Sequence, residues 1–158
     1  MSEPLDIDRP PPEGFVRHGR RSPLTAPWEP IYERALPDRL VLGLWLRTPH
    51  TNTRGTAHGG LIAGLADKAM GLSCAIVRGI SPEGSDPAAF VTVSLSIDYI
   101  DAARVGEWLV VDTTFVKAGR SLCFAGADLT ADGRLVAKAH STFRVVTPRM
   151  DPQASSSS

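Results

Sequence analysis

Asn52, His58, Gly59, Gly60 and Asp67 fall within sixteen residues. Together they offer a side-chain amide, an imidazole, two backbone N–H groups with no side chain in front of them, and a carboxylate. Residues 48–57 contain turn and cap formers without apolar periodicity, whereas from Leu61 the pattern is helical, with Leu61, Leu65, Ala69, Leu72 and Ile76 on one stripe. A helix is therefore predicted to begin near His58 and run to about Val77. The first turn of a helix leaves N–H groups without intrahelical partners, and the macrodipole adds partial positive charge there. Gly59 and Gly60 would present those donors to a carbonyl oxygen that becomes an oxyanion when attacked.

Asp67 lies nine residues beyond His58. At about 100° per residue the two point to nearly opposite sides of the helix, so one chain cannot easily aim both at one substrate. Asp67 shares its side with Gly60, Ala63, Met70, Gly71 and Cys74, mostly small residues that admit another element or a ligand. Two readings stay open on these grounds: a carboxylate placed for chemistry, or a helix-surface aspartate paired with a nearby cation such as Arg78.

The pattern Asn52, then His58-Gly59-Gly60, then Asp67 followed by Lys-Ala-Met-Gly resembles the hotdog-fold acyl-CoA thioesterases of the phenylacetate-pathway (PaaI-type) class, and the likeness spans residues 40–146. The resemblance implies that Asp67 activates water or attacks the thioester carbonyl and that the Gly59 amide binds the oxyanion. It further implies that Asn52 and His58 position the thioester or the water, in a site shared between two subunits. A Ser or Thr on a neighbouring strand positions the water in some relatives, which makes Thr92 a secondary candidate; strand alternation alone reads it as solvent-facing. Lys117 and Arg120, beside a hairpin turn, and Arg54, in the motif loop, are candidates for the phosphates of coenzyme A, with Gly60 also at the ligand. Lys68 departs from the small residue that many relatives carry after the aspartate. Its stem could run along the apolar stripe, or its ammonium could fold over Asp67 and weaken it as a base.

The elements that must position these groups fit one domain. The chain has 158 residues, enough to bury a core without metals or disulfides, and seventeen basic residues balance seventeen acidic ones. No global field favours nucleic acid or an anionic membrane. Cys74 and Cys123 sit in apolar contexts without a Cys-x-x-Cys pair and read as buried thiols in a reducing, cytoplasmic setting. Residues 1–12 are acidic and Pro-rich and read as no apolar leader, and no stretch is expected to approach the ~20 residues a membrane helix needs, so neither secretion nor membrane insertion is expected.

Residues 1–27 form a Pro-rich arm with a basic cluster (Arg17, His18, Arg20, Arg21), its first dozen residues expected to be disordered, with Phe15, Leu24 and Trp28 as anchors on the body. The cluster reads as a solvated face or as a phosphate contact. The single domain follows over residues 28–148, and residues 149–158 are a disordered polar tail. Strands are predicted over 31–36 and 39–48, the latter with Leu40, Leu42, Leu44 and Leu46 on one face. After the helix and a turn-rich loop at 79–88 come strands at 90–100, 108–117, 121–130 and 134–146, the last pair joined by Asp132-Gly133. In the first of these, Val91, Val93, Leu95, Ile97 and Tyr99 face one way and Thr92, Ser94, Ser96 and Asp98 the other.

Strands with a single helix to cover them give an α+β architecture, one long central helix wrapped by an antiparallel sheet of about five to six strands, which is the hotdog fold. Open edge strands call for a second copy, so a homo-oligomer is expected: a dimer, or a tetramer as a dimer of dimers. His18, His50 and His140 have no partners at metal-ligand spacing, and no metal or cofactor is expected beyond the coenzyme A of the substrate. Phosphate-binding loops and a Gly-x-Ser-x-Gly elbow are missing, which leaves carboxylate chemistry. The reading is an acyl-CoA thioesterase acting on an aryl, phenylacetyl or medium-chain acyl group. The alternatives are a hydratase or dehydratase of the same fold, whose aspartate-before-histidine arrangement this chain lacks, and a non-catalytic acyl-CoA sensor.

Overall fold

A computed structural model describes residues 9–80 and 89–146 of the chain. Its elements are β1 (Val16–Arg17), β2 (Tyr32–Leu36), β3 (Arg39–Trp45), α1 (Gly59–Val77), β4 (Ala89–Tyr99), β5 (Trp108–Ala118), β6 (Leu122–Ala131) and β7 (Arg134–Val146). The strands form one antiparallel sheet in the order β1-β2-β3-β5-β6-β7-β4. The α+β reading holds, but the sheet has seven strands rather than five or six. The extra one is β1, a two-residue addition from the arm to the open edge of β2. So short a strand among prolines has no alternation to reveal it.

Helix α1 lies against one face of the sheet and buries Leu61, Leu65, Ala69 and Leu72, the predicted stripe, in one core with Leu40, Leu42 and Leu44 of β3 and with Leu109, Leu129 and Phe143. Ile76, the last stripe residue, is partly buried against the same core. Ser73 fastens the helix to the sheet, donating to the Ala69 carbonyl and accepting the Leu40 N–H at 3.1 Å. The expectation that no stretch approaches the length of a membrane helix does not hold. At nineteen residues α1 is long and apolar enough, by length and composition, to cross a bilayer. Its leucines instead face the sheet, which is why a helix of membrane-like composition serves as the core.

The arm wraps the sheet. On the outer face the Trp108 ring stacks near Phe15 (5.2 Å between centroids) and Trp45 (4.9 Å), and the Arg9 guanidinium lies 3.4 Å above the Trp45 ring. Gly43 is a glycine because a Cβ there would meet the Trp108 ring at 2.4 Å. On the helix side, Trp28 packs at Gly64, where a Cβ would come within 2.7 Å of the indole. Phe15 and Trp28 thus anchor the arm as expected, whereas Leu24 is exposed and does not. The disorder expected for the first residues, the loop at 79–88 and the polar tail lie wholly or largely outside the described residues.

Candidate functional site

His58 ends the motif loop as the N-cap of α1. Its backbone N–H donates to the His50 carbonyl at 2.9 Å, and its Nδ1 accepts the Gly60 N–H at 2.9 Å. A neutral ring that accepts at Nδ1 carries its proton at Nε2. The cap therefore occupies the Gly60 amide. Of the two donors expected at this helix start, the Gly59 N–H is the one that has no acceptor among the described residues. Gly59 also lies under the ring of Tyr99, 3.2 Å from where a Cβ would sit, and its carbonyl accepts the Tyr99 hydroxyl at 2.8 Å. Nothing in the spacing of the motif pointed to Tyr99.

Asn52 is turned inward on its own loop. Its Oδ1 accepts the Arg54 N–H at 2.9 Å and the Thr56 N–H at 3.3 Å, and its Nδ2 donates to Thr56 Oγ1 at 3.0 Å. The loop it closes is stitched to residues 103–104 by the Ala57 N–H and by pairing of Thr56 with Arg104. Buried His50 holds the other side: Nδ1 accepts the Arg47 N–H at 3.0 Å, and Nε2 lies 3.2 Å from the Trp28 carbonyl. Burial, with the Arg47 charge second, pushes the His50 pKa down to about 4. A neutral imidazole thus ties the arm to the loop that delivers His58.

Asp67 sits midway along α1 and faces β4, where its Oδ1 accepts the Thr92 hydroxyl at 2.7 Å. The sequence alternation put Thr92 on the solvent side, opposite Ile97 and Tyr99. The register shift between Thr92 and Ser94 changes the parity of the strand, so Phe90 and Thr92 before it share a side with Ile97 and Tyr99 after it. Strict alternation cannot anticipate an inserted residue.

Asp67 is not paired with Arg78. Arg78 donates to the Gly119 carbonyl at the β5–β6 turn and has no bond to Asp67. Lys68 neither folds over Asp67 nor runs free, but donates to the Arg20 carbonyl of the arm at 2.8 Å.

Two clefts result, with no lining residue in common. One holds Asn52, Gly59, Gly60 and Tyr99 at the helix start; the other holds Asp67, Thr92, Phe90 and Phe143. Gly59 and Asp67 are eight residues apart on α1, a rise of about 12 Å. Thr92 and Tyr99 stand near opposite ends of β4, about 20 Å apart along an extended chain. Arg54 is exposed beside the first cleft, and Lys117 and Arg120 are exposed at the β5–β6 turn, where Arg78 anchors the helix C-terminus. The three cations proposed for phosphate contact therefore do not converge within one chain. Among the described residues β4 ends the sheet, paired with β7 alone, and it carries Val91, Val93, Leu95 and Tyr99 exposed.

Comparison with known proteins gives a consistent answer. The family model described as "Thioesterase superfamily" matches residues 54–138. The chain is 41% identical over 135 residues to a Pseudomonas aeruginosa protein named "Putative esterase", covering 85% of this chain and 96% of that one. It is 37% identical over 112 residues to acyl-coenzyme A thioesterase 13 of Mus musculus, covering 68% of this chain and 74% of that one. A crystal structure of a hypothetical thioesterase protein with coenzyme A from Streptococcus pneumoniae superposes with a TM-score of 0.66 at 27% identity, covering 77% of this chain and 93% of that one.

Proposed function

The chain belongs to the thioesterase superfamily, and from that premise we propose that it hydrolyses an acyl-CoA thioester, of an aryl, phenylacetyl or medium-chain acid, to the free acid and coenzyme A. The observation that carries this reading is the carboxylate of Asp67 held at one oxygen by Thr92, in a fold whose helix start keeps the Gly59 N–H unoccupied. Asp67 accepts a proton from water as the water oxygen bonds to the thioester carbon, or its free oxygen attacks that carbon directly. The carbonyl oxygen takes up the negative charge against the Gly59 N–H, and expulsion of the coenzyme A thiolate, which takes a proton from protonated Asp67 or from solvent, restores the carbonyl; on the direct route this leaves an acyl–Asp67 anhydride, which water hydrolyses to the free acid and the regenerated carboxylate. Thr92 keeps the carboxylate turned to the reacting atoms, and the His58 Nε2–H is a second donor at the oxyanion end.

One chain separates the two halves, so the reading needs two. Antiparallel pairing of β4 with β4 of a second copy, about an axis at Leu95, brings the Thr92 end of each strand beside the Tyr99 end of the other. The acid half of each chain then meets the amide half of the other, and the exposed apolar residues of β4 are covered. Phe115 and Phe124 on the outer face of β5 and β6 are also exposed, a surface that suits packing of two such dimers. The buried thiols of Cys74 and Cys123, with Cys74 pushed up to about 12 by burial, suit a reducing cytoplasmic compartment.

Thiol release from a panel of acyl-CoAs tests the reading. Turnover of at least one ester without added metal is expected. Turnover abolished by a chelator and restored by zinc would overturn the carboxylate mechanism, and tight binding of acyl-CoA without turnover would make the protein a sensor.

A further inference from the structure

Helix α1 opens on two glycines, which have the weakest helix preference short of proline, and neither has a side chain that could pack to hold the turn. Leu61 and Ile62 are the first residues of the helix to enter the core. The Gly59 N–H belongs to the peptide unit whose carbonyl, that of His58, accepts the Leu61 and Ile62 N–H groups at 3.0 and 3.2 Å. Its aim is therefore the aim of the whole first turn. The motif loop fixes that turn from one side, through the His58 N–H on the His50 carbonyl and through His58 Nδ1 on the Gly60 N–H. The sheet fixes it from the other. The Tyr99 hydroxyl, at the end of β4, donates to the Gly59 carbonyl at 2.8 Å. The peptide unit between Gly59 and Gly60 is thus pinned at both ends, its carbonyl by Tyr99 and its N–H by His58. The Tyr99 ring also lies over Gly59, 3.2 Å from where a Cβ would sit, and lines the cleft at the helix start.

We propose that Tyr99 is a positioning residue for the hydrolysis: it acts through Gly59, holding the first turn of α1 so that the Gly59 N–H points to where the oxyanion forms. This role rests on the thioesterase reading and deepens it. A donor already aimed stabilises the transition state without reorganising, and a small misplacement of it is costly. The ester carbonyl carries less charge than the oxyanion and gains less from the same donor, so the Tyr99 hydroxyl counts in kcat rather than in KM.

The experiment measures kcat and KM on the best ester for Tyr99→Phe, Gly59→Pro and the double variant. Tyr99→Phe keeps the ring and is expected to lower kcat about tenfold, the worth of one hydrogen bond, with KM unchanged. In the Gly59→Pro background, which has no N–H to aim, the same substitution should change the residual kcat by less than about twofold. A near-normal kcat for Tyr99→Phe overturns the proposal, as does a rise in KM alone or an equal loss in both backgrounds. Tyr99 lies on the strand that would pair with a second copy, so kcat is read at rising protein concentration. A loss that disappears as the concentration rises is a defect of assembly and also overturns the proposal. If no ester releases thiol, the thioesterase reading fails by itself. Hydrogen exchange of the Leu61 and Ile62 amides then still decides whether Tyr99 holds the turn: faster exchange in Tyr99→Phe supports the tie, and unchanged exchange overturns it.

Discussion

Thr92 donates to Asp67 across 2.7 Å because β4 carries one residue more than its partner β7 at that point. Without the insertion, Thr92 would face away from α1 and the carboxylate would lose its partner. With it, one Asp67 oxygen is fixed.

Asp67→Ala should lower kcat by about 10²–10⁴ with little change in KM, the usual worth of a positioned general base or more. Asp67→Asn should match it, because an amide of the same shape takes no proton. Steady-state kinetics on the best ester decides this. A variant with near-normal kcat would remove Asp67 from the chemistry.

Thr92→Val keeps the shape of the side chain and deletes the hydroxyl. A loss of about tenfold in kcat is expected, equivalent to one hydrogen bond of about 1.4 kcal/mol, with KM unchanged. Thr92→Ser should recover most of it. A defect in folding alone would not be rescued by serine and would appear in the thermal midpoint.

Gly59→Pro removes the proposed oxyanion donor with little backbone cost. Proline suits the first position of a helix, and His58 already has the extended backbone, φ −67 and ψ 133, that a following proline demands. The added ring must displace Tyr99 slightly. Gly59→Pro and Asp67→Ala should each be nearly inactive, yet equal amounts refolded together should regain roughly a quarter of wild-type activity. Random pairing makes half the dimers mixed, and each mixed dimer has one intact site of two. No recovery, with subunit exchange shown by native mass spectrometry, would mean that each site is built within one chain.

His50 is neutral when folded, with its pKa lowered from 6.5 to about 4. The unfolded chain binds the proton first, so the contribution of neutral His50 is complete above pH 6.5 and lost as the pH falls towards 4. The slope in that window is at most about 1.4 kcal/mol per pH unit. Urea midpoints measured between pH 7 and pH 4 should fall for the wild-type protein and fall less steeply for His50→Gln, whose side chain does not titrate. Parallel curves would assign the acid sensitivity to other groups.

The helix and its start were legible because a 3.6-residue stripe, two glycines and a capping histidine are all local signals. The strands from 108 to 146 were legible for the same reason. Three features were not. β1 gains its pairing from the edge of β2 and has no pattern of its own. Thr92 turns inward at an insertion that only the pairing with β7 defines. Asn52 carries a motif position but spends its amide on Thr56 and Arg54, and a spacing does not tell what a side chain bonds to. Lys68 makes the same point, since its partner is a backbone carbonyl 48 residues away.

An edge strand with half of a site at each end also changes what dilution does. Under the two-fold arrangement a lone chain carries an acid half and an amide half that never meet, so it turns over nothing. Specific activity, ordinarily independent of how much enzyme is in the tube, would then fall as the chains part, tracing the dissociation curve of β4 from its mate. The stock at which an assay is run becomes a variable of the chemistry, and a charge placed at Leu95, which meets its own image across the axis, would move that curve to higher concentration.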